Sequence, residues 1–157
     1  MARYRRTSKW TTAGQAEIWL ARDQESGEEV VMKRLLPDRQ LSDPAAELRR
    51  FHREVRSQGA LEHPGIMPII SWNFSADPPW YTMPRAQRNL GDYIDGNPHG
   101  LPEQEVIDIM LQVAEAVSHA HQEGIYHRDI KPGNILKLKG RWVVADSDSA
   151  GTPIRTA

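Results

Sequence analysis

Apolar and polar positions alternate in short runs over the first third of the chain. "EIWLARD" (17–23) and "EEVVMKRLL" (28–36) are rich in β-branched and aromatic residues, and the polar, glycine-containing "QESGEE" between them predicts a hairpin. Strands are therefore expected from Lys9 to about Leu35. The period then changes. In "SDPAAELRRFHREVRSQGALEH" (42–63), Leu48, Phe51 and Val55 recur at spacings of three and four, which predicts a helix opening at Asp43-Pro44 and closing at His63-Pro64-Gly65. "IMPIISWNF" (66–74) and "PWYTMP" (79–84) predict two more strands across the turn-rich "SADPP". After the Gly/Pro/Asn cluster "YIDGNPHG", the segment "LPEQEVIDIMLQVAEAVSHAHQEG" (101–124) carries the clearest helical signal. It begins with Pro102 and two acidic residues and closes at Gly124. Val106, Ile109, Met110, Val113 and Val117 are its predicted apolar stripe. Two short strands follow, "ILKLKG" and "RWVVAD", with a turn at Gly140.

The pattern implies an α+β chain: a small lobe of mainly antiparallel strands with one main helix over 1–86, then a mainly helical, incomplete-looking second part over 87–157. Composition changes this picture little. The 157 residues are 39% hydrophobic and 26% charged with a net charge of −1, so nothing points to nucleic acid or an anionic membrane as partner. No run approaches the length of a membrane span, and the basic start "MARYRRTSKW" lacks the apolar continuation of a secretory signal. The absence of cysteine excludes disulfides, thiol nucleophiles and cysteine zinc sites, and fits a cytoplasmic location.

Candidate chemistry concentrates in "YHRDIKPGNIL" (126–136), which sets His127, Arg128, Asp129, Lys131 and Asn134 among apolar neighbours. Burying such groups is costly unless each has a partner. A solvated loop is one explanation. The other comes from resemblance: "HRDIKPGNIL" resembles the catalytic loop of the protein kinase family. The resemblance implies a protein kinase-like fold, ATP and Mg²⁺ as cofactors, and a protein substrate. It implies that Asp129 orients the attacking hydroxyl, that Asn134 holds a metal ion, and that Lys131, typical of serine/threonine kinases, neutralises charge on the transferred group. His127 is implied as a packing and hydrogen-bonding residue.

Other motifs follow in the family's order. "VVMK" resembles the strand whose lysine holds the α- and β-phosphates, which is Lys33 here, and its implied helical partner is Glu54. Asp146 in "VVADSDSAG" stands twelve residues after Asn134, where the family places its magnesium-binding aspartate. "WYTMPRAQRNL" resembles the hinge, with Met83 as gatekeeper and Pro84 and Ala86 offering backbone groups to adenine. Ile18, Val31 and Leu136 are implied to sandwich the base, and each is equally compatible with ordinary core.

The sequence departs from the family in three places. Thr11, Ala13 and Ala16 occupy the glycine positions of the phosphate-covering loop, whose one glycine is Gly14, so weaker nucleotide binding is expected. Ser147 and Asp148 replace the Phe-Gly that normally follows the metal-binding aspartate, and Gln58 falls in the same normally apolar column. The sequence ends eleven residues after Asp146, before the activation segment and remaining helices of the family. The expectation is a fragment, or a truncated relative whose second lobe is covered by a partner chain or by self-association.

Two functions compete. One is an ATP-dependent serine/threonine kinase that transfers the γ-phosphoryl group to a protein hydroxyl. The other is a pseudokinase-like nucleotide- or protein-binding regulatory module without transfer. Small-molecule phosphotransfer has less support. A zinc site at His119, His121 and His127 has less still, because His119 and His121 lie two apart and face different sides of the helix.

Overall fold

The computed structural model describes residues 3–13, 16–36, 43–127 and 129–145. They fall into two compact units. The first contains residues 3–59 and 68–85, and the second contains residues 60–67 and the described chain from Ala86 onward.

In the first unit, strands β1 (Tyr4–Ala13), β2 (Ala16–Asp23), β3 (Glu29–Leu35), β4 (Ser71–Asn73) and β5 (Trp80–Pro84) form an antiparallel sheet in the order β1-β2-β3-β5-β4. Register sorts the side chains onto two faces. Ile18 stands opposite Lys33 and Leu20 opposite Val31, while on the other side of β3 Lys33 faces Tyr81 and Val31 faces Met83. These six therefore share one face. Tyr4, Ala21, Val30 and Met32 pack on the other, against Trp19 and Trp80. Each large apolar side chain removed from water in this way contributes about 1.5–3 kcal/mol.

Helix α1 (Pro44–Gly59) begins as its sequence predicts. Pro44 occupies the first turn, where its missing N–H costs no bond, and Asp43 caps the Ala46 N–H through Oδ1 at 2.9 Å. Phe51, Val55 and Gln58 form its buried face. The helix stops at Gly59, four residues before the expected end at His63, because the chain leaves it to bury Leu61 in the core of the second unit. The expected strand over 66–74 is likewise mostly irregular, and only Ser71–Asn73 is extended in the sheet. Pro68 interrupts the run, and the groups before it bond elsewhere: the Met67 N–H donates to the Val144 carbonyl and the Val144 N–H to the Gly65 carbonyl.

The second unit holds β6 (Arg88–Asn89), α2 (Leu90–Asp95), α3 (Glu103–Gln122), β7 (Ile135–Leu138) and β8 (Arg141–Val144). The sequence reading treats the region from Tyr93 as a turn cluster, yet α2 runs to Asp95, started by Asn89, whose Oδ1 accepts from the Asp92 N–H at 2.7 Å. The β7–β8 turn falls where expected. Lys139 (φ 50°) and Gly140 (φ 82°) both take positive φ, the backbone of the two-residue turn that matches hairpin twist.

Helix α3 corrects the predicted stripe. Ile109, Val113, Ala116 and Ala120 are buried, with Val117 half-buried, against Leu61, Ile66, Leu90, Ile135, Trp142 and Val144. Val106 and Met110 are exposed, together with Ile107 and Leu111. The helix is turned so that Ala116 and Ala120 face inward, where their small side chains allow close approach. A Cβ placed on Gly65 would lie 3.0 Å from that of Ala116.

Candidate active site

Lys33 sits in the middle of β3 on the face shared with Ile18, Val31 and Met83, and α1 brings Glu54 to it. The Lys33 Nζ donates to Glu54 Oε1 at 2.8 Å, with the two side chains only 3% and 8% exposed. Ile18, Val31 and Met83 are fully buried, and Pro84 is half-buried at the end of β5. Tyr81 was not singled out from the sequence, but its hydroxyl also donates to Glu54 Oε1, at 2.8 Å. The signal was present in strand alternation, which puts 81 and 83 on the face that carries Lys33.

In the second unit, a 3-10 turn at Pro132–Asn134 folds the polar loop back on itself. Asn134 is fully buried, and its Nδ2 donates to the Asp129 carbonyl at 2.8 Å and to Asp129 Oδ2 at 3.2 Å. Lys131 Nζ donates to the same Oδ2 at 2.8 Å. That hydrogen bond, opposed by partial desolvation and helped by the Lys131 charge and the Asn134 amide, holds the Asp129 carboxyl below its usual range. Asp129 is thus an anion at neutral pH and a weak base.

The ring of His127 bridges two backbone groups. Its Nδ1 accepts from the Asp129 N–H at 3.2 Å, which leaves Nε2 to carry the proton and donate to the Ala145 carbonyl at 2.5 Å. Both nitrogens are engaged in holding the loop. Leu136 and Ala86 are buried within this unit. Arg128, Asp146, Ser147 and Asp148, and Gly14 of the β1–β2 connection, lie outside the described residues. Thr11 and Ala16 stand on β1 and β2, and Gln58 is buried on α1. Of the histidines, His119 stacks on His63 at 4.9 Å and His121 lies tilted against Tyr126 at 4.9 Å, so the two turn to different neighbours.

Comparison with known proteins gives the family. The protein kinase domain family matches residues 12–151. The chain belongs to the protein kinase family. Among curated kinases, it is 38% identical over 124 residues to the serine/threonine-protein kinase PrkC of Bacillus subtilis, covering 78% of this chain and 19% of that protein. It is 34% identical over 134 residues to the serine/threonine-protein kinase PknD of Chlamydia felis, covering 78% of this chain and 14% of that protein. The chain thus spans less than a fifth of the length of these relatives. Among solved structures, the M. tuberculosis PknI kinase domain matches with a TM-score of 0.73 at 27% identity, over 94% of this chain and 59% of that one. The α+β, protein kinase-like architecture is that of these neighbours.

The kinase residues can be tested against the groups they are expected to hold. Among the described residues Asn134 Oδ1 is buried without a hydrogen-bond partner, while the amide nitrogen is committed to Asp129. A buried acceptor oxygen costs free energy unless a donor or a cation meets it, and a hard divalent cation is a partner that carboxamide and carboxylate oxygens suit. Lys33, aimed by Glu54, suits phosphate oxygens. No helix among the described residues of this kinase chain is long and apolar enough to cross a membrane.

Proposed function

We propose that this chain is the ATP-binding and catalytic-loop portion of a serine/threonine protein kinase, acting in the cytoplasm on a protein hydroxyl. In this reading residues 1–86 form the lobe that ends at the hinge, and 87–157 the first part of the second lobe. Ile18, Val31, Met83, Pro84, Ala86 and Leu136 take the adenine, Lys33 held by Glu54 takes the phosphates, and Asn134 and Asp146 hold Mg²⁺. The metal supplies charge neutralisation on the phosphate oxygens. Asp129 accepts a hydrogen bond from the substrate hydroxyl and orients it. A carboxylate kept anionic by Lys131 and Asn134 suits positioning better than early proton removal. Lys131 stands beside it, ready to balance charge on the group in transfer.

The observation that supports this best is the Asn134 arrangement. One side chain fixes Asp129 through its nitrogen and keeps its oxygen for a cation. The test is Asp129→Asn in the full chain, read by radiolabel transfer from ATP to a generic protein acceptor and by MgATP affinity. Transfer is expected to fall by at least about a hundredfold with affinity nearly unchanged. Equal transfer rates in variant and parent would remove Asp129 from the role.

The regulatory-module reading rests on Thr11, Ala13 and Ala16 at the glycine positions and on Ser147. Thermal stabilisation by MgATP without any transfer favours it. The exposed Val106, Ile107, Met110 and Leu111 of α3 support the further expectation that a partner chain or a second copy covers this part of the protein.

A further inference from the structure

The carboxylate that aims Lys33 is held from two strands at once. Lys33 reaches Glu54 Oε1 from β3, and the Tyr81 hydroxyl reaches the same oxygen from β5, each at 2.8 Å. Tyr81 is fully buried, directly opposite Lys33 in the register, with its ring 5.4 Å from that of Phe51 and 5.7 Å from the Lys33 ammonium. Strand pairing sets the face on which Tyr81 stands, and the Phe51 ring packs against it there.

We propose that Tyr81 is a positioning residue for nucleotide phosphate: it pins Glu54 to the sheet so that Lys33 is aimed by a carboxylate that cannot follow it. A lysine that holds both phosphate and carboxylate divides its three donors between them. Were Glu54 tied to the sheet by Lys33 alone, the carboxylate and the helix that carries it would shift whenever the ammonium moved toward a ligand. The Tyr81 hydroxyl removes that freedom, because it anchors Glu54 by a bond that ligand binding leaves in place. It also supplies the extra hydrogen bond that a buried ion pair needs to offset its desolvation. The inference rests on the reading of Lys33 as a phosphate-holding residue. It adds a residue to which that reading assigns nothing.

The test uses the full chain and compares MgATP with adenosine, which offers the base and no phosphate, by titration calorimetry. Tyr81→Phe keeps the ring and removes the hydroxyl. It is expected to weaken MgATP roughly tenfold, the size of one hydrogen bond to a charged group, and to leave adenosine affinity unchanged. In a Glu54→Gln background the same change is expected to have no further effect on MgATP, since the two act as one unit. A general loosening of the core would instead weaken both ligands together, and that result, or an unchanged MgATP affinity, overturns the proposal. Tyr81→Leu, which also lacks the hydroxyl, must reproduce the selective loss, and it serves alone should the phenylalanine variant fail to fold. A parent chain that does not prefer MgATP to adenosine refutes the phosphate reading itself, and the positioning role falls with it. A parent that does, beside an indifferent Tyr81→Phe, refutes only the role of Tyr81.

Discussion

Two lysine–carboxylate pairs in this kinase have the same length and opposite surroundings. Lys33 and Glu54 meet at 2.8 Å with 3% and 8% exposure, and Lys131 and Asp129 meet at 2.8 Å with 49% and 40%. Distance alone would rank them equal. The first pair has lost its water and depends on its geometry and on the Tyr81 hydroxyl, whereas the second is screened by solvent and salt. A buried pair is a fixed part, and an exposed pair is adjustable. That difference suits the roles proposed for them, Lys33 standing still beside phosphates and Lys131 following a reacting group.

The comparison can be broken most forcefully at Glu54. Glu54→Ala removes the carboxylate that meets the buried Lys33 ammonium and is expected to cost about 3–5 kcal/mol in urea denaturation. A loss below about 1 kcal/mol would mean that solvent reaches the pair. Next comes Asn134→Ala, which removes the two hydrogen bonds that brace Asp129 from a fully buried position. The expected cost is about 1–3 kcal/mol, measured the same way. Lys131→Ala should change stability by less than about 1 kcal/mol.

The Lys131 variant sharpens the contrast through pH instead. Asp129 has a depressed pKa, so its ionised form is favoured in the folded protein. The associated stability is present above the ordinary carboxylate range and is lost as pH falls through the lower folded value. Lys131→Ala should move the Asp129 midpoint upward, read by NMR titration of its carboxyl carbon. High salt should shift the parent in the same direction.

The smallest expected effect lies at His63, whose pKa is lowered by desolvation first and then by His119 and Arg141, with Glu115 opposing. Its Nδ1 accepts from the Gly65 N–H at 2.9 Å, which a second ring proton would forbid. Stability from this contact is present above the ordinary histidine value and declines as pH falls below it. A His63→Gln chain should show a shallower loss of denaturation midpoint between pH 7.5 and 5.5 than its parent.

Much of this was legible in the sequence where one residue type had one physical task. Pro44 after Asp43 marked the start of α1, Gly140 marked the hairpin turn, and the order of Lys33, Glu54 and the loop carried the family. The direction of α3 was not legible, because "VIDIMLQV" is apolar on several sides and supports more than one stripe. Ala116 and Ala120 decided it through the closeness they permit, and a small residue gives little signal in a hydrophobicity pattern. The end of α1 was missed for a related reason: Leu61 extends the helical period but is recruited by a different core. Tyr81 looked like any aromatic in a strand, since a hydroxyl's partner depends on what stands across the register. Asp146 was named from its spacing and lies outside the described residues.

The outermost strand of the sheet has a consequence for behaviour at high concentration. β1 runs for ten residues with β2 on one side only, so its other backbone edge is a template on which a foreign chain could add. Arg5 and Arg6 add exposed positive charge to that strand, Lys9 being paired with Glu17 of β2, and an approaching identical strand would meet its own cations. Neutralising Arg5 and Arg6 should lower the concentration at which the protein gels or precipitates.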